Sequence, residues 1–236
     1  MKYFLSLFFL CLLSFHFSYA QIDPEESREH IILKWSPLSL FDIDNTFQAG
    51  VEIPLKNDRF TIQQDVGYGH SSFNVWYAQE EDRPDKTTIK SRTQLRYYFY
   101  EKRKFRSYVA GEYLFKRIVT RETQWVGMDC GGVNGCGYFE NKDVKLGRFV
   151  SALHAKFGWQ IYFSNRTSMD LFMGFGLRKA RVKSLTPNAE NVRFNNDWDW
   201  FRSNRPGNYQ VIPSLAIGFH LGIALGKFRK TESDNL

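Results

Sequence analysis

The chain has 236 residues, with 32 Lys and Arg against 25 Asp and Glu, for a formal net charge of +7. A mean hydropathy of -0.42 excludes a bundle of membrane-spanning helices. The basic residues form no compact stripe of the kind that tracks a nucleic-acid backbone.

Residues 1–20 read as a secretory signal. Lys2 supplies the positive start, Leu5 to Leu13 the apolar core, and Ser18-Tyr19-Ala20 a cleavage site before Gln21. The apolar run falls short of the ~20 residues a spanning helix needs. Phe9 and Leu10 are too bulky for a lipobox ahead of Cys11. Residues 21–29 are polar and form a lead-in.

From residue 30 onward the pattern is alternation with period two, the signature of strands with one oily face. A first strand runs from His30 to Leu38, with Ile31, Leu33 and Trp35 on one face and Lys34 and Ser36 on the other. After a connection at 39–45, Phe47, Ala49, Val51 and Ile53 alternate with Gln48, Gly50 and Glu52. In the third strand Phe60, Ile62, Val66 and Tyr68 oppose Thr61, Gln63, Asp65 and Gly67. The fourth places Ile89, Leu95 and Tyr97 outside and Lys90, Arg92, Gln94 and Arg96 inside. The fifth has Val109, Tyr113 and Phe115 outside and Arg106, Glu112 and Lys116 inside. In the sixth, Leu153, Phe157 and Trp159 alternate with Arg148, His154, Lys156 and Gln160. In the seventh, Met169, Leu171, Met173 and Phe175 alternate with Asp170, Phe172, Gly174 and Arg178.

The eighth strand, 209–225, is the clearest. Leu215, Ile217, Phe219, Leu221 and Ile223 share one face, while Ser214, Ala216, Gly218, His220 and Gly222 share the other. It exceeds the usual strand of about 5–6 residues and reaches the roughly 9–11 that cross a bilayer. The connections at 56–58, 101–104 and 164–166 are short and charged, whereas those at 74–86, 121–142 and 183–208 are long. Bacterial outer-membrane barrels have short periplasmic turns and long outer loops. The chain is therefore expected to be all-β: an eight-stranded antiparallel up-and-down transmembrane β-barrel over 30–228, followed by a polar tail, 229–236. Its expected place is the outer membrane of a Gram-negative bacterium, with outer-membrane lipid as its surroundings. The soluble alternative is a lipocalin-like or sandwich protein with the oily faces inward. It leaves unexplained why Gly50, Gly67, Gly158, Gly174, Gly176, Gly218 and Gly222 share the polar parity, where a narrow interior calls for small residues.

The inward parity carries Lys34, Lys90, Arg92, Arg96, Arg106, Lys116, Arg148, Lys156 and Arg178 against Glu52, Asp65, Glu112 and Asp170, with His154 and His220 among them. Charges in a narrow interior must be paired. The favoured reading is a side-chain plug in which Glu112 and Asp65 pair with Arg92, Arg96 and Arg106; the alternative is a narrow anion path or transport component. Cys130 and Cys136 bracket a Gly-rich segment and suit a disulfide in an oxidising compartment. His70-Ser71-Ser72, at the outer end of strand three, is the one place suggesting a lipid-acting enzyme, but neighbours on a strand point apart and no acid partner is evident. Trp198, Trp200 and Phe201, among amides and carboxylates, are candidates for loop contacts to a surface or envelope partner. No metal, cofactor or catalytic set is expected, and the chain reads as a structural or surface-interaction protein rather than an enzyme.

The opening His30-Ile31-Ile32-Leu33-Lys34-Trp35-Ser36-Pro37-Leu38-Ser39-Leu40-Phe41, then Phe47-Gln48-Ala49-Gly50-Val51-Glu52, resembles small outer-membrane β-barrels of the Bacteroidetes, nearest to the DUF3575 group, with OmpA/OmpX-like eight-stranded barrels as structural relatives. The match covers about the first two strands. It implies a fold and a location, and it carries no activity or catalytic residues. One departure is the C-terminus, where a polar tail follows Phe228 instead of a terminal aromatic residue.

Overall fold

The computed structural model describes residues 30–42, 44–57, 59–73, 85–102, 104–128, 136–164, 166–186, 193–194 and 206–226. The expected signal and lead-in, Cys130, the segment containing Trp198, Trp200 and Phe201, and residues 227–236 lie outside these residues.

The described chain is almost entirely antiparallel strand: β1 (Ile31–Trp35), β2 (Phe47–Pro54), β3 (Phe60–His70), β4 (Asp85–Lys102), β5 (Phe105–Met128), β6 (Tyr138–Tyr162), β7 (Thr167–Ser184), β8 (Arg193–Phe194), β9 (Gly207–Asn208) and β10 (Ile212–Leu225). Each of β1 to β6 pairs with the next, and β10 pairs with both β7 and β1. Eight strands thus close into a ring. The two-residue strands add to it: β8 pairs with β5 at Val126 and Gly127, and β9 pairs with β7 at Arg181 and Val182. Among the described residues no helix is long and apolar enough to cross a membrane, which says nothing of crossing by strands.

The alternation survives along the ring-forming part of each strand and lapses in the β5–β6 hairpin extension, where Tyr138–Asp143 are all exposed. Leu153, Phe175 and Ile217 are 65%, 68% and 65% exposed on the outer face, while Arg96, Gln63 and Gln160 are fully buried on the inner one. Contacts between strands that are not neighbours show that the buried face is the interior, as where Arg96 on β4 meets Asp170 on β7. The polar parity is therefore inside and the oily parity outside. This is the reverse of a soluble ring, whose core is apolar. A bulge between Tyr98 and Tyr100 shifts the register of β4, so that Phe99 and Tyr100 both lie exposed.

Large and small side chains take turns across the interior. Tyr98, Tyr108, Gly158, Phe172 and Gly218 lie in register on five consecutive staves. A Cβ on Gly218 would stand 2.7 Å from Phe172 Cζ, and one on Gly158 would enter the Tyr108 ring. These glycines give their neighbours' rings room to fill the ring's cross-section.

The structure corrects several boundaries. The first strand ends at Trp35 instead of Leu38, because Pro37–Leu40 turns as a 3-10 helix. The expected loop at 121–142 is largely strand, since β5 runs to Met128 and β6 starts at Tyr138. Thr123, Trp125, Val126, Tyr138, Phe139 and Val144 are strand-favouring residues. Buried Val126, Val144 and Leu146, with Met128 against them, give the extended hairpin a small core of its own. The sheet also has ten strands instead of eight, because two short pieces of the 183–208 segment pair with β5 and β7.

Candidate functional site

The interior is a connected polar network, built from the turn end upward. Arg106 donates to Glu101 Oε1 from Nη2 (2.6 Å) and Nε (3.0 Å), and its guanidinium lies 3.7 Å from the centre of the Tyr98 ring. The Tyr98 hydroxyl lies 2.6 Å from Glu52 Oε1 and 2.8 Å from Gln160 Oε1. A phenol has one proton to give, so it goes to the carboxylate, and the Gln160 amide, turned over, would donate to the phenol oxygen. Glu52 also accepts from Thr61 Oγ1 (2.6 Å) and pairs with Lys34.

Asp170 is the centre. Arg96 Nη1 donates to its Oδ2 at 2.7 Å and Lys34 Nζ at 2.9 Å, while the Tyr108 hydroxyl donates to Oδ1 at 2.7 Å. These groups come from β4, β1 and β5 to a carboxylate on β7, so the network ties the ring across its middle. Arg96 also lies over the Tyr108 ring at 4.3 Å and donates to Gln94 Oε1 at 3.0 Å. His220 stands between two carboxylates, with Nδ1 3.4 Å from Asp170 and Nε2 3.7 Å from Asp65. Its ring stacks on Phe172, 5.0 Å between centroids. Asp65 accepts from Gln63 Nε2 at 2.7 Å and more weakly from Gln48.

Higher still, Glu112 pairs with Lys156 through one oxygen and stands 3.2 Å from His154 Nδ1 through the other. His154 Nε2 is 3.0 Å from Ser214 Oγ. Glu112, His154, Gly176 and Ser214 lie in register on β5, β6, β7 and β10. Gly176 leaves the gap through which His154 reaches Ser214, since a Cβ there would stand 2.6 Å from His154 Cδ2. The Glu112–His154 approach is close in distance but off line for a hydrogen bond. Such pairs often tighten only when a ligand is bound.

The connection between β1 and β2 covers the loop end. A 3-10 turn at Pro37–Leu40 folds it back, with Ser39 Oγ set 2.6 Å from each of the carbonyls of Ser36 and Thr46, to one of which it donates its single proton. Asp44 then pairs with Lys116 and, at 3.1 Å, with Lys86; Asp42 pairs with Lys90 at 3.4 Å. Burial alone would push the Asp44 carboxyl up. The two ammonium groups outweigh it and hold the carboxyl well below the ordinary carboxylate range.

All the expected interior residues lie on the inward parity, with Arg92, Lys116, Arg148 and Arg178 half-buried toward the loop end. The expected pairing is corrected. Glu112 pairs with Lys156 and stands beside His154, Asp65 is held by glutamines beside His220, Arg96 pairs with Asp170 and Glu52, and Arg106 with Glu101. The stagger of the staves decides this: Arg96 stands opposite Ala110, not Glu112. His70 and Ser72 are also closer than a strand would allow. Ser71–Phe73 is a 3-10 turn, which brings Ser72 Oγ to 3.0 Å from His70 Nδ1. Cys136 is disulfide-bonded. Sequence reasoning missed the role of Asp42 and Asp44 and the Glu112–His154–Ser214 row. The acids were visible beside Asn45, which takes positive φ to turn the chain back. The row needed the register. No group of three or more His, Cys, Asp or Glu among the described residues is placed to hold a metal ion. Set against protein-family models, curated proteins and solved structures, the chain matches none.

Proposed function

We propose that the protein is a transmembrane β-barrel of the bacterial outer membrane, of the kind its opening segment resembles, with an interior plugged by side chains. It acts as a structural or surface-interaction protein through the extended β5–β6 hairpin and its outer loops. The observation that carries this reading is the inversion of the closed ring: exposed Leu, Ile and Phe outside, paired charges within. Water would reward the opposite arrangement, and lipid rewards this one. The test is thiol labelling on whole cells in a Cys130→Ser/Cys136→Ser background. Glu140→Cys, on the hairpin, should react with an impermeant reagent, and Lys56→Cys, in the β2–β3 turn, only after the envelope is opened. The reverse pattern overturns the orientation, and recovery of the protein in the soluble fraction overturns the membrane reading.

A second reading, a hydrolase, is favoured by the Glu112–His154–Ser214 row. With the Nδ1 proton toward Glu112, His154 Nε2 accepts the Ser214 proton as the hydroxyl attacks an ester carbonyl. That proton passes to the leaving alcohol, and water then frees the acyl group. A fluorophosphonate probe labelling the wild type but not Ser214→Ala supports it; no labelling of either overturns it.

A further inference from the structure

Above the apolar band, the outer wall formed by β5, β6 and β7 changes character within one residue pair. Leu153 faces Leu177 in the β6–β7 pairing; the next outward row holds Phe115, Ser151 and Lys179, and the row above it Arg117, Phe149 and Arg181. Lys183 follows one row higher, then Arg121 opposite Lys145. All six cations lie on the outward parity, and all but the half-buried Lys145 are exposed. Among the described residues, Arg121 alone of the six makes an ion pair, with exposed Asp85 at 3.3 Å. Arg117 lies 5.7 Å from the Phe149 ring, and a groove of about 240 Å³ runs beside Arg117, Arg121 and Lys145. On the opposite wall, the outward residues at the same end are Trp35, Phe47, Tyr68, His70 and Val211, with no lysine or arginine among them. The charge is thus confined to one side of the ring.

We propose that this wall is a binding site for a membrane lipid carrying more than one phosphate group, its acyl chains against the apolar band and its phosphates on the Arg117–Lys179–Arg181 rows. The inference rests on the membrane reading above. Two features argue for it. Arg117 and Arg181, two staves apart, span about 10 Å, and neighbouring rows add about 7 Å, a field wider than one phosphate. The cations are also continuous with the lipid-facing surface, so a bound lipid meets both at once, and anionic headgroups are attracted to such basic clusters at the interface. Guanidinium groups present forked donors suited to phosphate oxygens.

The test uses the full chain in dodecyl maltoside micelles and native mass spectrometry with added diphosphoryl lipid A. The fraction of protein carrying lipid should fall at least tenfold in an R117Q/K179Q/R181Q variant and stay unchanged in K56Q/K104Q, at the turn end. Circular dichroism checks that both variants keep their strand content. Dioleoylphosphatidylcholine should be retained poorly by all three proteins. Equal retention of lipid A by wild type and the triple variant overturns the site, as does equal retention of phosphatidylcholine. Inorganic pyrophosphate binding the wild type as tightly as the lipid shows a free-phosphate site and overturns the lipid assignment. Flotation with phosphatidylcholine vesicles in a sucrose gradient separates the two levels: a chain that floats but fails these tests loses the site alone, and a chain that stays at the bottom loses the membrane reading with it.

Discussion

Lys90 faces Lys116 directly across the β4–β5 pairing, two like charges on one inner face. Like charges in that position repel. The β1–β2 connection resolves the conflict by delivering Asp42 to Lys90 and Asp44 to Lys116 and Lys86. A segment that looks like a plain loop is therefore the counter-ion of the ring's loop end.

Asp44→Asn should lower the unfolding free energy in detergent by about 1–2 kcal/mol at neutral pH, read as a lower urea midpoint, between the values for exposed and fully buried pairs. The pH dependence has a fixed sign. The folded chain holds the Asp44 carboxyl below its ordinary range, so its contribution is complete above about pH 4 and fades as pH falls toward the depressed value. The gap between wild type and Asp44→Asn should therefore narrow on acidification below pH 4. A gap that widens there would contradict the pairing.

Glu112→Ala leaves Lys156 buried without its carboxylate and should cost about 3 kcal/mol. Glu140→Ala, on the exposed hairpin, should stay within about 0.5 kcal/mol of wild type. Replacing the pair together, Glu112→Leu with Lys156→Met, should recover most of the loss. Equal midpoints for the two single variants would mean that Glu112 holds nothing.

Gly218→Ala pushes a methyl group against Phe172 and should destabilise by about 1–3 kcal/mol through overpacking. Phe172→Leu in the same chain should restore part of this. If Gly218→Ala alone is neutral, the rings do not fill the interior as described.

Tyr98 and Tyr108 are wholly buried, each under an arginine, and close the cross-section between the turn end and Asp170. Planar bilayers with wild-type protein should show no steady conductance, and Tyr98→Gly/Tyr108→Gly should open discrete steps. Steady wild-type conductance would favour the pore reading over the plug.

The faces of the strands were legible because period-two alternation is a local property: Lys34, Glu52 and Arg96 each declare their side within a few residues. Partners were not, because they depend on stagger between staves. Glu112 and Arg96 share the inner parity, yet register sets Glu112 beside Gln94 and His154 and leaves Arg96 free to reach Asp170. The hairpin extension was hidden by its glycines and charges, which read as loop although Trp125, Val126 and Val144 favour strand. Two-residue strands such as β8 and β9 carry no periodicity to read at all.

The seam between β1 and β10 has a consequence for assembly. Every other pairing in the ring from β1 to β7 joins strands adjacent along the chain, but this one brings Ile31 to Leu225 and rests on five residue pairs, against twelve between β10 and β7. Local pairings form first and long-range closure pays its entropy last. The meander should therefore assemble as an open sheet and zip shut last along this β1–β10 joint, where the closing strand β1 is also held to its other neighbour, β2, by only four pairs. β1 is thus the stave of the ring with the fewest partners, five pairs to β10 and four to β2: under load, or on loss of Lys34 with its grip on Asp170, the ring would open beside it.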